Sequence, residues 1–470
     1  MTDLLTRGAG PLKSQLPGRV SLPGEEAYGV SAPWDEAVPV HPAAVVAPTS
    51  AEEVALAVGW AAENGYRVAV QATGHGAVAL GGDALLVHTG QLQTCAVDPT
   101  ARTVRVGAGV TWRQVLDAVT PFGLAPVCGS SANVGAVGYL TGGGIGPLVK
   151  ALGVSSDYIV SAEVVTGDGQ LRRVNEHDEP DLFWAVRGGK SALGIVTQVE
   201  LRLLPIRTLY GGCLFFPDES LADLVTTWRD WAGKLPVEAT TSLAVLQLPD
   251  LPSVPPPLAG RCSIAVRYAS LADHAQAAEA LVDLTTAVVP IFGGAAPMGY
   301  RDIAGIHADP TVPAPTVNAT ALLPELPDEA LQQLTQLSGP GSGSPQTIVE
   351  IRQLGGSYNA PTAGPSSFDA RAAAFNLYVS GDPRRAPSQV LADHGARLVA
   401  AIAPPNPNKL VNFVNSGDPK QLRHCYHRAT RDRLLELTHR YDPGRTLCQP
   451  LHAAVGHANE VATTTRTSPR

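Results

Sequence analysis

Charge is scarce in this chain. Asp, Glu, Lys and Arg make up only 16% of its 470 residues, and the formal net charge is -8. No basic run or stripe occurs, so the electrostatic footprint of a nucleic-acid binder is missing. No stretch approaches the roughly 20 consecutive apolar residues of a membrane helix. The segment from Met1 to Val20 carries Asp3, Arg7, Lys13 and Arg19 and has no apolar centre, so no secretory signal is expected. The six cysteines, Cys95, Cys128, Cys213, Cys262, Cys425 and Cys448, form no CxxC pair. In a chain of this size they predict free thiols in a reducing cytoplasm rather than a disulfide scaffold. Lysine is rare while Ala, Arg, Gly and Pro are common, a bias that suggests a GC-rich bacterial genome.

What is present is apolar bulk and turns. Hydrophobic residues make up 44%, with 47 glycines and 40 prolines. The length predicts two domains. Ser50 and Glu53 form a capping-box pattern that opens a helix through Val54, Leu56, Val58 and Trp60, ending at Gly65. Strands are predicted at 67–71, 84–88, 103–106, 159–166, 170–174 and 195–203. A second capping box, Thr111 with Gln114, opens a helix that ends at Gly123, and Asp168-Gly169 makes a tight hairpin turn. After Pro205 the texture changes. Strands are expected at 214–216, 242–248, 263–268, 347–354 and 375–379, and helices at 220–235, 271–287 and 432–440. The class is α+β, with 1–206 and 405–470 in one domain and 207–404 in a second. A disordered tail is expected from about Glu460.

Two glycine-rich segments carry the chemistry. The first, Gln71-Ala72-Thr73-Gly74-His75-Gly76, directly follows a strand. Such a loop can turn its backbone N–H groups inward and cradle an anion without lysine or arginine. The second runs from Gly129 through Ser131, Val134, Gly135, Gly138, Tyr139, Gly142, Gly143 and Gly144 to Gly146. So many glycines in one loop imply close backbone approach to a large flat ligand. Neither is a dinucleotide fingerprint, since Gly142, Gly144 and Gly146 sit in a long loop with no opening helix. On pattern alone, both segments also read as surface turns, and His75 as a turn residue.

In these motifs the chain resembles the FAD-linked oxidases of the berberine bridge enzyme type, within the vanillyl-alcohol oxidase superfamily with its PCMH-type FAD-binding fold. Val68 to His75 is similar to the strand and loop ending in that family's flavin-linking histidine. Val134 to Gly146 resembles the loop that wraps the diphosphate and flavin. Asp181-Leu182-Phe183-Trp184-Ala185-Val186-Arg187-Gly188-Gly189, Gly194-Ile195-Val196-Thr197, Asn412-Phe413 and Tyr441-Asp442-Pro443 resemble further family motifs. The resemblance implies FAD bonded through a ring nitrogen of His75 to the flavin 8α-methyl, which raises the reduction potential and prevents cofactor loss. It also implies that Ile195 and Val196 offer backbone groups to the adenine side, and that Asn412 lies at the cofactor.

Three departures matter. Many members have a second, cysteinyl link where this chain has Ser131, so a single link is expected; Cys128, three residues upstream, would need a loop shift to replace it. Leu410 stands where relatives often have a tyrosine facing the flavin. Lys190-Ser191-Ala192 replaces the usual glycines and asparagine, with little expected effect on chemistry. The segment Val349 to Gly356 resembles a strand passing over the flavin. Its alternation puts Glu350 and Arg352 on one face and Ile351 and Gln353 on the other. Glu350 or Gln353 then reads as a base or substrate anchor, or Glu350 and Arg352 as an ion pair on a solvent face. Tyr378 is a candidate phenol base or a packed tyrosine. His424, Cys425 and His427 have metal-like spacing without a further ligand, so no metal is expected.

The implied activity is removal of a hydride from a small organic substrate, an alcohol or amine of secondary metabolism, with O2 as acceptor and H2O2 as product. The alternative is a flavin scaffold for a non-redox or oxidative cyclisation.

Overall fold

The computed structural model describes residues 10–448, apart from 191, 251, 253, 362–363 and 415–416. The tail from about Glu460 lies outside the described residues. Sixteen strands form three sheets among them. The first sheet holds β1 (Val20–Ser21), β2 (Ala44–Val46), β3 (Arg67–Gln71) and β4 (Ala84–His88), in the order β1-β2-β4-β3. β2, β4 and β3 run parallel, which demands a crossover between β2 and β3. The helix Ala51–Asn64 supplies it. Ser50 accepts from the Glu53 N–H at 3.3 Å, while the Glu53 carboxylate reaches the Thr49 N–H at 2.6 Å, one residue earlier than a full capping box requires. Gly65, at φ 73°, ends the helix.

The second sheet is antiparallel: β5 (Cys95–Asp98), β6 (Thr103–Gly107), β7 (Ile159–Thr166), β8 (Leu171–Val174) and β9 (Gly194–Arg202), ordered β5-β6-β9-β7-β8. One apolar core runs through both sheets and includes Val58, Leu85, Val104, Trp112, Leu116 and Val199.

The third sheet is also antiparallel: β10 (Thr208–Phe216), β11 (Ala239–Gln247), β12 (Cys262–Ser270), β13 (Phe292–Gly299), β14 (Val317–Leu323), β15 (Ile348–Gln353) and β16 (Phe375–Gly381). Their order is β13-β10-β12-β11-β15-β16-β14. Alternation gives each strand two faces. One face buries Leu243, Val266, Ile351 and Leu377 beneath the helices Leu221–Lys234, Asp328–Ser338 and Ser388–Ile402. The opposite face presents Ser242, Arg267, Glu350, Arg352 and Tyr378, brought level by the strand register. It faces the first lobe, where the Lys150 N–H donates to Thr240 Oγ1 at 3.2 Å.

The expected helix at 271–287 is two short helices, His274–Glu279 and Val282–Ala287. The segment expected to lack a helix contains a single turn, Ala136–Leu140, whose first N–H donates to the Val110 carbonyl at 2.9 Å.

Asp35 ties the lobes together. Its carboxylate accepts from Thr316 N at 2.9 Å and Thr316 Oγ1 at 2.7 Å, and from its own neighbour Ala37 N at 3.1 Å. Removing a buried carboxylate leaves these donors without their acceptor. Asp35→Ala should cost about 2 kcal/mol and lower the urea midpoint of unfolding; an unchanged midpoint would show that the strap contributes nothing.

Candidate active site

The loop after β3 is built around backbone constraints. Gln71 Nε2 donates to the carbonyls of Ser31 at 3.3 Å and Ala32 at 3.1 Å, pinning the segment that leads into Trp34. The Trp34 N–H then donates to the Gly74 carbonyl at 3.1 Å. Gly74 has φ 77°, and a Cβ there would lie 2.7 Å from Trp34 N, so only glycine fits. This brings the Trp34 indole over His75, with ring centroids 4.0 Å apart and planes 18° from parallel. Thr73 Oγ1 accepts from the Gly135 N–H at 3.2 Å and lies 2.8 Å from His75 Nδ1. Either partner can donate across this contact, according to the tautomer of the ring. Burial, then the Lys190 ammonium, pushes the His75 pKa down to about 4. The imidazole is therefore neutral at pH 7.

The second loop closes against the first: a Cβ on Gly135 would lie 3.5 Å from both Ala72 and Thr73. Among the described residues, no acceptor takes the N–H groups of Thr73, Gly74, His75 and Gly76, or those of Ser130, Ser131, Ala132 and Asn133. Two neighbouring runs of amides without protein acceptors are of the kind that can cradle an anion, with no cationic side chain in either loop. Gly142, Gly143 and Gly144 back onto Asn412, Phe368 and Tyr139. Val134 hands its carbonyl to Trp112 N at 3.1 Å, and Asn412 Nδ2 donates to the Tyr139 carbonyl at 2.8 Å. A Cβ on Gly146 would run into the Cys128 carbonyl, so these two strands of loop lie in close contact. Ile195 and Val196 lie on β9, just beyond the point where β6 ends with Gly107 opposite Gln198. That edge of β9 is left open for backbone contacts.

Lys190 is more central than its sequence context suggests. It adopts φ 54°, and its Nζ donates to the Gly138 carbonyl and to Asn412 Oδ1, both at 2.7 Å. Its ammonium lies 3.8 Å from where a Gly76 Cβ would be, and burial lowers its pKa to about 8. A cation therefore sits beside His75 where only a changed loop was expected.

The facing sheet carries a buried ion cluster. Glu350 is 0% exposed, which rules out the solvent-face ion pair. Its Oε1 accepts from Ser242 at 2.8 Å and Arg267 at 2.7 Å, and its Oε2 from Arg352 at 2.8 Å. Burial alone would raise its pKa; Arg352 and Arg267 outweigh that and hold it well below the usual carboxylate range. Gln353 turns its amide to the helical layer and donates to the Ala232 carbonyl at 2.6 Å. Tyr378, its pKa raised by burial, donates to Asn318 Oδ1 at 3.2 Å and packs edge-on to Phe413. Leu410 is buried with Ile145, Val149 and Phe368. The same cleft holds His307, which no motif marks because it lies in a loop without periodicity.

Comparisons with known proteins bear on the fold and the family. Residues 42–175 match the family described as "FAD binding domain". The (R)-6-hydroxynicotine oxidase of Paenarthrobacter nicotinovorans is 32% identical over 228 residues, 47% of this chain and 49% of that protein. The chain spans about half the length of the curated relatives it matches. Among solved structures, BBE-like 1 of Physcomitrella patens superposes with a TM-score of 0.81 over 95% of this chain and 99% of that one, at 16% identity. The 6-hydroxy-D-nicotine oxidase of Arthrobacter nicotinovorans gives a TM-score of 0.77 over 92% and 96%, at 20% identity. The chain thus has the mixed α/β fold of these structures, and residues 42–175 match the FAD binding domain.

The depressed His75 pKa has a thermodynamic sign. The unfolded chain binds a proton near pH 6.5 while the folded chain resists it until about pH 4. The resulting stability is complete above about 6.5 and is lost as pH falls toward 4. In protein without cofactor, His75→Asn should flatten the pH dependence of the melting temperature across that window; an unchanged slope would contradict it.

Proposed function

We propose that the chain is an FAD-dependent oxidoreductase of the oxidase type, with FAD attached to His75. The observation that carries this reading is the pair of glycine-rich loops that close on each other at Thr73 and Gly135, each with four N–H groups that no described residue accepts, beside a neutral, stacked imidazole. The residues fit the group. The amides of 73–76 and 130–133 would hold the diphosphate, and the edge of β9 at Ile195 and Val196 the adenine side. Gly138, Tyr139, Gly142 to Gly144, Gly146 and Asn412 would line the flavin. Bound there, FAD supplies the two-electron redox chemistry, and the protein supplies binding, orientation and charge.

Attachment follows from the same atoms. Thr73 engages Nδ1; with the ring hydrogen on Nδ1 and donated to Thr73, the Nε2 lone pair would be free for the 8α bond. A second link is disfavoured. Ser131 has no thiol, and Cys128 is buried in the core with its pKa pushed up to about 12, so almost no thiolate is present at neutral pH.

The substrate is proposed to be a small alcohol or amine, and the acceptor O2, by analogy with relatives named as oxidases. Burial of Leu410 in an apolar cluster supports the second reading, a flavin scaffold for non-redox cyclisation, only by removing one phenol from the site.

Anaerobic mixing of the yellow holoprotein with a panel of alcohols and amines should bleach the flavin, and admitting air should restore it with about one H2O2 per turnover. Conversion of a substrate without bleaching or oxygen uptake would exclude the oxidase reading and favour the scaffold.

A further inference from the structure

We infer that His307 is the base of the reaction: its Nδ1 takes the hydroxyl or amine proton of the substrate, while Glu350 behind Nε2 stabilises the imidazolium that forms. This deepens the oxidoreductase reading and rests on it.

The position of His307 is imposed from both sides. It directly follows the 3-10 helix Tyr300–Ile306. That helix is fastened to the first lobe by the Tyr300 hydroxyl, which donates to the Pro126 carbonyl at 2.6 Å, and by the buried side chains of Ile303 and Ile306. His307 thereby enters the cleft between Gly146 of the glycine-rich loop and Arg352 of β15. Its side chain is 5% exposed, yet among the described residues neither ring nitrogen has a hydrogen-bond partner. A buried imidazole left this way is costly unless a ligand completes it.

The other polar groups on this wall are already engaged. Glu350 receives three donors and is held ionised, so it is a poor proton acceptor. Tyr378 donates to Asn318, and Gln353 to Ala232. Gln353 Oε1 is also without a partner, but an amide oxygen is a far weaker base than an imidazole nitrogen, so among these four His307 is the group able to take up a proton. Its Nε2 is 3.6 Å from Glu350 Oε1, too far for a good hydrogen bond but close enough for strong attraction once the ring is charged. The carboxylate therefore favours the hydrogen on Nε2 and leaves Nδ1 open.

Burial, Arg352 and Arg267 keep the resting ring neutral, against the opposing pull of Glu350 and of Asp309 on its own loop. A weak base suffices for the step. Bound flavin would supply the acceptor for the substrate C–H hydride, so that the adjacent substrate C–O or C–N would become a double bond. An iminium N–H is a much weaker acid, whereas the remaining O–H proton would then be that of a protonated carbonyl and strongly acidic. It passes to Nδ1 as its bond to the substrate breaks.

The test compares wild-type holoprotein with His307→Gln and His307→Asn. Anaerobic stopped-flow mixing with a substrate that reduces the wild type should show flavin reduction slowed on the order of 10²- to 10⁴-fold in both variants, with unchanged flavin content. Nitrogen-15 histidine NMR of the holoprotein should show one imidazole, missing in His307→Gln, that stays neutral from about pH 5 to 8 with its hydrogen on Nε2. Reduction within about threefold of wild type, or a ring titrating near its ordinary pKa, overturns the assignment of His307 alone. A wild-type flavin that no alcohol or amine bleaches overturns the oxidoreductase reading and the inference with it.

Discussion

The Thr73 hydroxyl is the hinge of this site. By accepting from Gly135 it holds the two glycine-rich loops together, and by its contact with His75 Nδ1 it leaves Nε2 as the unengaged ring nitrogen. Both contacts depend on the close packing beneath them. Gly74 lets Trp34 approach its backbone, Gln71 fastens the segment before Trp34, and the indole then fixes the plane of the imidazole. A bulkier residue at 74 would push Trp34 away and release the ring.

The scarcity of charge noted in the sequence has a structural counterpart. The anion cradle needs no side-chain cation because backbone amides supply the partial positive charge. A cluster of buried charges lies on the facing wall. Arg267, Arg352 and Glu350 lie in one cross-strand patch, where each guanidinium offsets the desolvation of the carboxylate. Such a cluster is an expensive way to stabilise a sheet, since apolar residues of similar volume often do as well. Its position opposite the glycine-rich loop is better explained by the chemistry of the cleft than by stability.

Much of the cofactor lobe was legible from the sequence. β3 and β4 have the bounds that their aliphatic runs and flanking turns predict, and Thr111 with Gln114 forms the expected capping box. The outer part of the second lobe was not. β13 is a glycine- and alanine-rich edge strand without alternation, so it carries no period-2 signal. The parity of β15 was readable, but which face met solvent was not, because burial of Glu350 depends on partners from β11 and β12 more than 80 residues away. Lys190 was underrated for the same reason: its neighbours Gly138 and Asn412 are close only in space. His307 gave no signal at all, since a lone loop histidine gains meaning only from the cleft it enters.

The account stands or falls on His75 as the flavin's point of attachment. The most direct measurement is peptide mapping by mass spectrometry of the denatured, protease-digested protein. The account predicts one flavin-bearing peptide, containing His75, and no flavin on the peptide that spans Cys128 and Ser131. Recovery of all the FAD free in solution, with the His75 peptide unmodified, would contradict it.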